Sequence, residues 1–473
     1  MGLAAPWARW RRRALLGLLY RQSPASLEHR ALKRLPRAVG RAAAQSAAYR
    51  TIYREAGLER SHPPQDRDAL ANYPILEKAD LFERFSLEEL IADNVPVGDL
   101  AGVLTSSGHG GPNFAFGVST WRDKRLTPFD IDLGLEHAFG TDQRSTLLVN
   151  CLPMGVFFDS RSVCVANVSV REDMACAILR QAGPRFEQCI LVIDPLFAKR
   201  LLDYAAELGM DWAGLAPRVI LGEETFSEEF RSYLADALAI PLDEPGGQRV
   251  RSSMGVGELG LNLFFETAET IDLRRALHRA DPDALLPTFF AYSPLRSLVE
   301  IVDPDEQGVG DLVITMLDAK APIPMIRYRT GDRARHLLPE DLEALEPGRR
   351  AALQRLPFPV IAHLGRKPAS DESGWPMDRC KALLYRDPAV AAALSGAFVL
   401  RREAGVLRWH VQRRPGASEA PEVLAAGLQA LVDAVVAKRG GDSPTVRVWP
   451  YEDFPWGMGL DHERKFRYRV DDA

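Results

Sequence analysis

Residues 322–332 read PIPMIRYRTGD. Two arginines, a tyrosine, a threonine and an aspartate surround one glycine, which predicts a strand interrupted by a tight turn. Side chains alternate along a strand, so Arg327 and Arg329 fall on the side opposite Tyr328. Asp332, just after Gly331, carries an acceptor-only carboxylate that could take both hydroxyls of a ribose; the same residues could equally form a set of strand-end ion pairs. Upstream, residues 252–260 (SSMGVGELG) place Glu258 in a glycine-rich turn ahead of a nearly apolar run, 261–265. A carboxylate in such surroundings is costly unless it is paired or binds a cation. Further upstream, residues 105–117 (TSSGHGGPNFAFG) make a flexible loop whose hydroxyls and backbone N–H groups can approach a phosphate. Downstream lie a Gly-Arg in HLGRK (363–367) and a basic segment, ERKFRYRV (463–470).

Between these pieces, apolar β-type runs at 146–152, 188–193 and 218–221 alternate with helical patterns at 196–208 and 227–239. That alternation argues for parallel strands covered by helices. Residues 298–302 and 311–315, joined by DPDEQGVGD, read as a hairpin-like pair in a β-rich section. Near the N-terminus the pattern over 27–57 is helical, with Leu27, Leu32, Leu35, Val39, Ala43 and Ala47 along one side. After a charged, proline-punctuated stretch at 337–359, short strands at 398–400, 407–412 and 446–450 accompany a helix at 422–438. The fold class expected is α/β. A large N-terminal multi-subdomain α/β domain spans 1–364, with a helical lead-in over 1–95, and a small α+β C-terminal domain spans 365–473.

The composition suits an ordinary soluble, enzyme-sized protein: of 473 residues, 46% are hydrophobic and 26% charged. With 59 basic and 64 acidic residues the net charge is −5, so no global positive field is present to hold nucleic acid, and any anion site is local. The five cysteines are dispersed, without the CxxC or CxxH pairs of a structural zinc site, and suit a reduced, cytoplasmic protein. No apolar run reaches the ~18 to 20 residues of a membrane span. Arg9, Arg11, Arg12 and Arg13 precede a short apolar stretch, 14–20, that copies a signal peptide without its length or cleavage site. The expectation is an amphipathic helix docked on its own domain, with peripheral attachment to an anionic membrane as the lesser reading.

In their order, these segments resemble the adenylate-forming superfamily of acyl- and aryl-CoA ligases, and in particular its phenylacetate-CoA ligase-like branch. IRYRTGD is close to that branch's RYRTGD, and SSGHGG resembles its Ser/Thr/Gly phosphate loop. GEE (222–224) resembles its nucleotide-side turn, MGVGE (254–258) its YGxTE motif and LGRK its hinge, while Lys465 stands where the family keeps a catalytic lysine. YRTIYREAGL (49–58) and YPILEKADL (73–81) are similar to its N-terminal segments, so the likeness runs through most of the chain.

The resemblance implies a two-step ligase, with ATP and Mg2+ required and CoA among the co-substrates. A carboxylic acid, aromatic or medium-chain, is activated as its acyl-adenylate and passed to CoA, a carrier-protein thiol or an amine. Ser106, Ser107, Gly108, Gly110 and Gly111 would hold phosphates; Gly222, Glu223, Met254 and Gly255 would line the nucleotide; Glu258 would ligate magnesium. Asp332 would bind the ribose, Arg366 would meet ribose or phosphate, and Lys465 would be the catalytic cation on a mobile C-terminal domain. Residues 151–158, 221–223 and 251–254 would line the acid pocket, where Arg249 and Arg251 could meet a second acidic group. A homodimer is left open. The chain departs from the family pattern in several places: His109 replaces a hydroxyl residue in the loop, and the C-terminal segment reads HERKFRYRV rather than the usual Gly-Lys. Pro112 and Asn113 stand where the loop lysine would be, Met254 replaces an aromatic, Gly257 replaces a hydroxyl residue, and the hinge reads GRKPAS. These departures motivate an alternative, a degenerate member that binds nucleotide or a partner protein without turnover.

Overall fold

A strand buried on both faces can be apolar throughout, and the runs TLLVN, QCILVI and TFFAY are buried at every position. They belong to a computed structural model that describes residues 6–58, 62–105, 114–153, 155–366, 375–441, 443–457, 462–463 and 465–470. Its strands, in chain order, are β1 (Leu100–Thr105), β2 (Phe116–Thr120), β3 (Thr146–Asn150), β4 (Cys164–Asn167), β5 (Gln188–Ile193), β6 (Pro217–Leu221), β7 (Val250–Val256) and β8 (Gly260–Phe265). They continue as β9 (Thr288–Tyr292), β10 (Ser297–Val302), β11 (Gly310–Met316), β12 (Tyr328–His336), β13 (Val360–Arg366), β14 (Leu394–Glu403), β15 (Val406–Arg413) and β16 (Thr445–Trp449).

One sheet runs β10-β11-β12-β13-β9-β8-β7-β6-β5-β3-β4. Its β4, β3, β5, β6 and β7 are parallel, and from β7 onward every pair is antiparallel. The parallel half has the helix Pro195–Glu207 after β5, capped by the Asp194 carboxylate with proline at its first position. The helix Glu228–Ala237 follows β6, with Ser227 as its cap. On the other face lies the helix Trp121–Phe139, opened by a Thr120–Asp123 capping box and closed by Gly140 at φ 64°. A second sheet, β14-β15-β16, packs with the helix Pro421–Arg439. Its core is continuous with that of the parallel half: Phe197, Leu221 and Phe230 join Trp375, Leu383, Tyr385, Phe398 and Trp409 in one cluster.

The α/β class and the C-terminal α+β unit agree with the sequence reading. The helical pattern over 27–57 is divided among three helices, Pro24–Leu32, Leu35–Gln45 and Ala47–Glu55. The last break is at Ser46, whose extended backbone leaves its hydroxyl free to accept the Tyr49 N–H. The tight turn expected in RYRTGD is a bulge instead: β12 runs on to His336, with Gly331 at φ 83° inside a register shift against β11, between Arg329 and Arg333. Residues 337–359 contain the helix Pro347–Gln354. Strand β13 continues to Arg366, which pairs with Asp332, so Gly365 and Arg366 belong to a strand of the large sheet.

Candidate active site

In an open α/β sheet, ligands bind beyond the carboxyl ends of the parallel strands. There β3 delivers Cys151 and Leu152, β5 delivers Asp194, and β6 delivers Gly222, Glu223 and Glu224. Glu223 sits at φ 70°, a left-handed conformation that costs a side-chain-bearing residue ~1–2 kcal/mol, and it turns the chain away from the sheet. Residues from the C-terminal part meet this turn. Lys465 Nζ donates to the Glu223 carbonyl at 3.1 Å and lies 3.0 Å from its carboxylate. Lys381 Nζ contacts Glu224 at 2.7 Å and the Thr225 carbonyl at 3.0 Å, and Tyr468 Oη donates to Glu224 at 3.0 Å. Beside β4, Ser169 Oγ donates to Glu463 at 2.6 Å. Burial, with Glu224 and Glu223 close by, pushes the Asp194 carboxyl up to about 7.

A second group gathers across the sheet. Asp332 on β12 is directly opposite Arg366 on β13, which juxtaposes the two residues expected at the ribose. His363 Nε2 lies 3.5 Å from Asp332 Oδ1, an ion-pair distance rather than a well-formed hydrogen bond. Burial alone would raise the Asp332 pKa; His363 and Arg366 outweigh it and hold the carboxylate below its usual range. His363 and Arg366 also line a cavity of about 560 Å3 with Thr225, Arg333, Trp375 and Asp378, within the range of small-molecule sites.

Glu258 lies in the turn from β7 to β8, half-buried, and accepts a hydrogen bond from the Tyr328 hydroxyl. Burial, then the Glu258 charge, pushes that hydroxyl far above its normal range, so Tyr328 remains a donor. The pair leaves Glu258 one further oxygen. Among the described residues no three carboxylates, histidines or cysteines gather as a metal cage. A lone carboxylate fits magnesium, which commonly takes one or two protein carboxylates and completes its shell with phosphate and water. Met254 and Gly255 lie on the same β7 strand, where Gly255 is pressed against the returning β8: an added Cβ would meet Leu261 Cα at 2.9 Å.

Residues 106–111, with the expected phosphate ligands Ser106, Ser107, Gly108, Gly110 and Gly111, lie outside the described residues, as do His109, Pro112 and Asn113. Their flanks are described: Thr105 pairs with Phe116, and a Cβ on Gly117 would stand 2.4 Å from the Gly257 carbonyl. The loop's stem therefore abuts the Glu258 turn. Of the expected acid-pocket residues, Leu152 and Val156 join the cluster with Leu135 and Phe139, whereas Phe157 is exposed. Arg251 is level with Ile220 on β6, below the strand ends, its guanidinium 5.1 Å from the Phe139 ring.

The sequence reading missed Asp194, Lys381 and Tyr468, and gave Glu224 no role beyond its place in the GEE turn. Asp194 before a proline reads only as a helix cap, and nothing local signals that Lys381 and Tyr468 reach back across the sequence to one turn.

No described protein family matches the sequence, and no curated protein matches it either. Solved structures do. A 2-hydroxyisobutyryl-CoA ligase in the postadenylation state, in complex with R3-HIB-AMP, is 16% identical over 93% of this chain and 89% of its own, with a TM-score of 0.66. The same ligase with 2-HIB-AMP and CoA in the thioesterification state matches at 16% identity over 95% and 90%, with a TM-score of 0.53. The acyl acid amido synthetase AtGH3.15 in complex with 2,4-DB matches at 13% identity over 98% and 94%, with a TM-score of 0.56. The chain thus has the fold of acid-activating ligases, along essentially its whole length.

Proposed function

We propose that the protein is an ATP-dependent, AMP-forming ligase that activates a carboxylic acid as its acyl-adenylate and transfers the acyl group to CoA or another thiol or amine. The observation that carries this reading is Lys465. A residue near the C-terminus brings its ammonium to the carboxyl ends of the parallel strands, on the turn where the nucleotide-side residues Gly222 and Glu223 lie.

In that step a carboxylate oxygen attacks the α-phosphorus and the bond to pyrophosphate breaks. Two anions must approach each other, so a fixed cation between them lowers the barrier most. Lys465 serves that role, Asp332 takes ribose hydroxyls, and Arg366 flanks them; Gly222, Glu223, Met254 and Gly255 line the nucleotide, and the 106–111 loop holds phosphates. Magnesium, held by Glu258, would neutralise phosphate oxygens when bound. In the second step a thiol or amine attacks the acyl carbonyl, giving up its proton, and AMP leaves; by the family resemblance Lys465 would withdraw before it. An apolar lining of Leu152 and Val156 suits an aromatic or medium-chain acid. Dispersed free thiols suit the cytoplasm.

The test is acid-dependent exchange of pyrophosphate into ATP across a pooled acid library, with mass-spectrometric detection of acyl-AMP. Exchange that Lys465→Ala lowers by roughly two to three orders of magnitude is expected. Nucleotide binding with no exchange and no AMP for any acid would leave the non-catalytic alternative in place.

A further inference from the structure

The first helix, Pro6–Leu19, presents its polar group inward and its aromatics outward. Arg12 is buried, its Nε donating to Asp142 at 3.0 Å and its Nη1 3.5 Å from Asp132 on the helix Trp121–Phe139. At about 100° per residue, the side opposite Arg12 carries Trp7, Trp10, Ala14 and Leu18, spaced i, i+3, i+7, i+11. Trp7 is 65% exposed, Trp10 67% and Leu18 55%. Arg13 flanks this stripe on one side and Arg11 on the other. The Arg11 guanidinium lies 5.6 Å from the Trp7 ring and 4.4 Å from that of Phe129. Leu126, one turn before Phe129, is exposed as well. Asp130 is the acid that faces Arg11, and burial pushes its carboxyl up. Before Glu28 the chain has five arginines and no Asp or Glu, in a molecule whose net charge is −5.

A helix bathed in water turns its charges out; this one turns out two tryptophans and a leucine between arginines. We propose that the outer face of Pro6–Leu19 docks in the plane of an anionic lipid surface. Trp7, Trp10 and Leu18 enter the boundary between headgroups and acyl chains, while Arg11, Arg13 and Arg21 meet lipid phosphates. The buried Arg12 pair fixes the helix on the protein, so the stripe is presented without folding on contact. A second copy is the poorer occupant. A two-fold contact through the stripe would set arginines against arginines, with no carboxylate on the stripe to neutralise them. A nucleic acid is poorer too, because the outward arginines straddle an apolar strip rather than lining a groove.

The experiment is flotation of the full-length protein with vesicles of equimolar phosphatidylcholine and phosphatidylglycerol, against vesicles of phosphatidylcholine alone. Binding to the anionic vesicles only is expected, weakened by salt, with a blue shift of tryptophan emission. R11E/R13E and W7S/W10S should each lower the bound fraction by about tenfold with unchanged melting temperature. Val423→Ser, which alters a 65% exposed residue on the helix Pro421–Arg439, should bind like wild type. The proposal is overturned by absence of binding to anionic vesicles, by equal binding to neutral ones, or by W7S/W10S that binds undiminished. Light scattering that shows a dimer abolished by W7S/W10S, without flotation, would assign the face to a second copy instead. Competition by RNA at equal phosphate, with no blue shift, would assign it to nucleic acid.

Discussion

Tyr328 and Glu258 show how one hydroxyl prepares a carboxylate. The hydrogen bond fixes the rotamer of Glu258 and leaves one oxygen for a cation. Tyr328→Phe should raise the magnesium concentration needed for half-maximal exchange roughly 10- to 100-fold, with the rate recovered at saturating metal. An unchanged magnesium titration would show that Glu258 needs no such support. Asp194 makes a different prediction, about stability. Its carboxyl has a folded-state pKa of about 7, above its ordinary value of 3.8, so between those values the folded state binds the extra proton and stability falls as pH rises. Asn keeps the helix cap without the charge. Asp194→Asn should therefore melt above wild type beyond pH 7 and converge with it at acid pH, in a thermal melt series across pH.

Among elements, the β1–β2 stem and the β7–β8 turn constrain each other at Gly117. Gly117→Ala would drive a methyl into the Gly257 carbonyl, with a cost of about 1–3 kcal/mol, and should lower both the melting temperature and the exchange rate. A variant with wild-type stability and activity would show that the stem yields. Parallel strands were legible in the sequence because burial on both faces writes uninterrupted apolar runs, as in β3 and β5. Asp332 and Glu258 stand out as candidates because chemistry dictates their type and surroundings, and Lys465 stands out only through the family resemblance. The bulge at Gly331 was not legible, since a glycine before an aspartate writes a turn and a bulge alike. Nor was the ion cluster in which Arg231 joins Glu228 and Glu266: it links a helix to the start of β7 and the end of β8 through contacts far apart in sequence. Pattern reports which face is buried; it does not report which distant residue meets it.

At the scale of the whole molecule, the C-terminal sheet and the parallel half share one core. The Tyr385 ring lies edge-on to Phe230 at 4.7 Å, and Arg386 bridges Glu229 and Asp283. Such continuity predicts a single cooperative unfolding transition by calorimetry. Phe230→Ala should cost about 3–5 kcal/mol and split that transition in two. A wild type that already unfolds in two steps would show that the shared core does not bind the parts together. On the mechanism proposed above, any withdrawal of Lys465 between the half-reactions has to spare or re-form these contacts.

The ladder between Asp332 and Arg366 bears on the order of events in a catalytic cycle. Asp332 and Arg366 are paired across β12 and β13, beside a register shift, so the spacing of the two proposed ribose contacts is set within the large sheet and not by the C-terminal part's orientation. Grip on the sugar and delivery of the lysine are then separate quantities, and a substitution can abolish one while sparing the other. On the proposed mechanism AMP would meet the same two side chains before and after the acyl group departs, and single-turnover measurement of AMP release would show whether that release limits turnover.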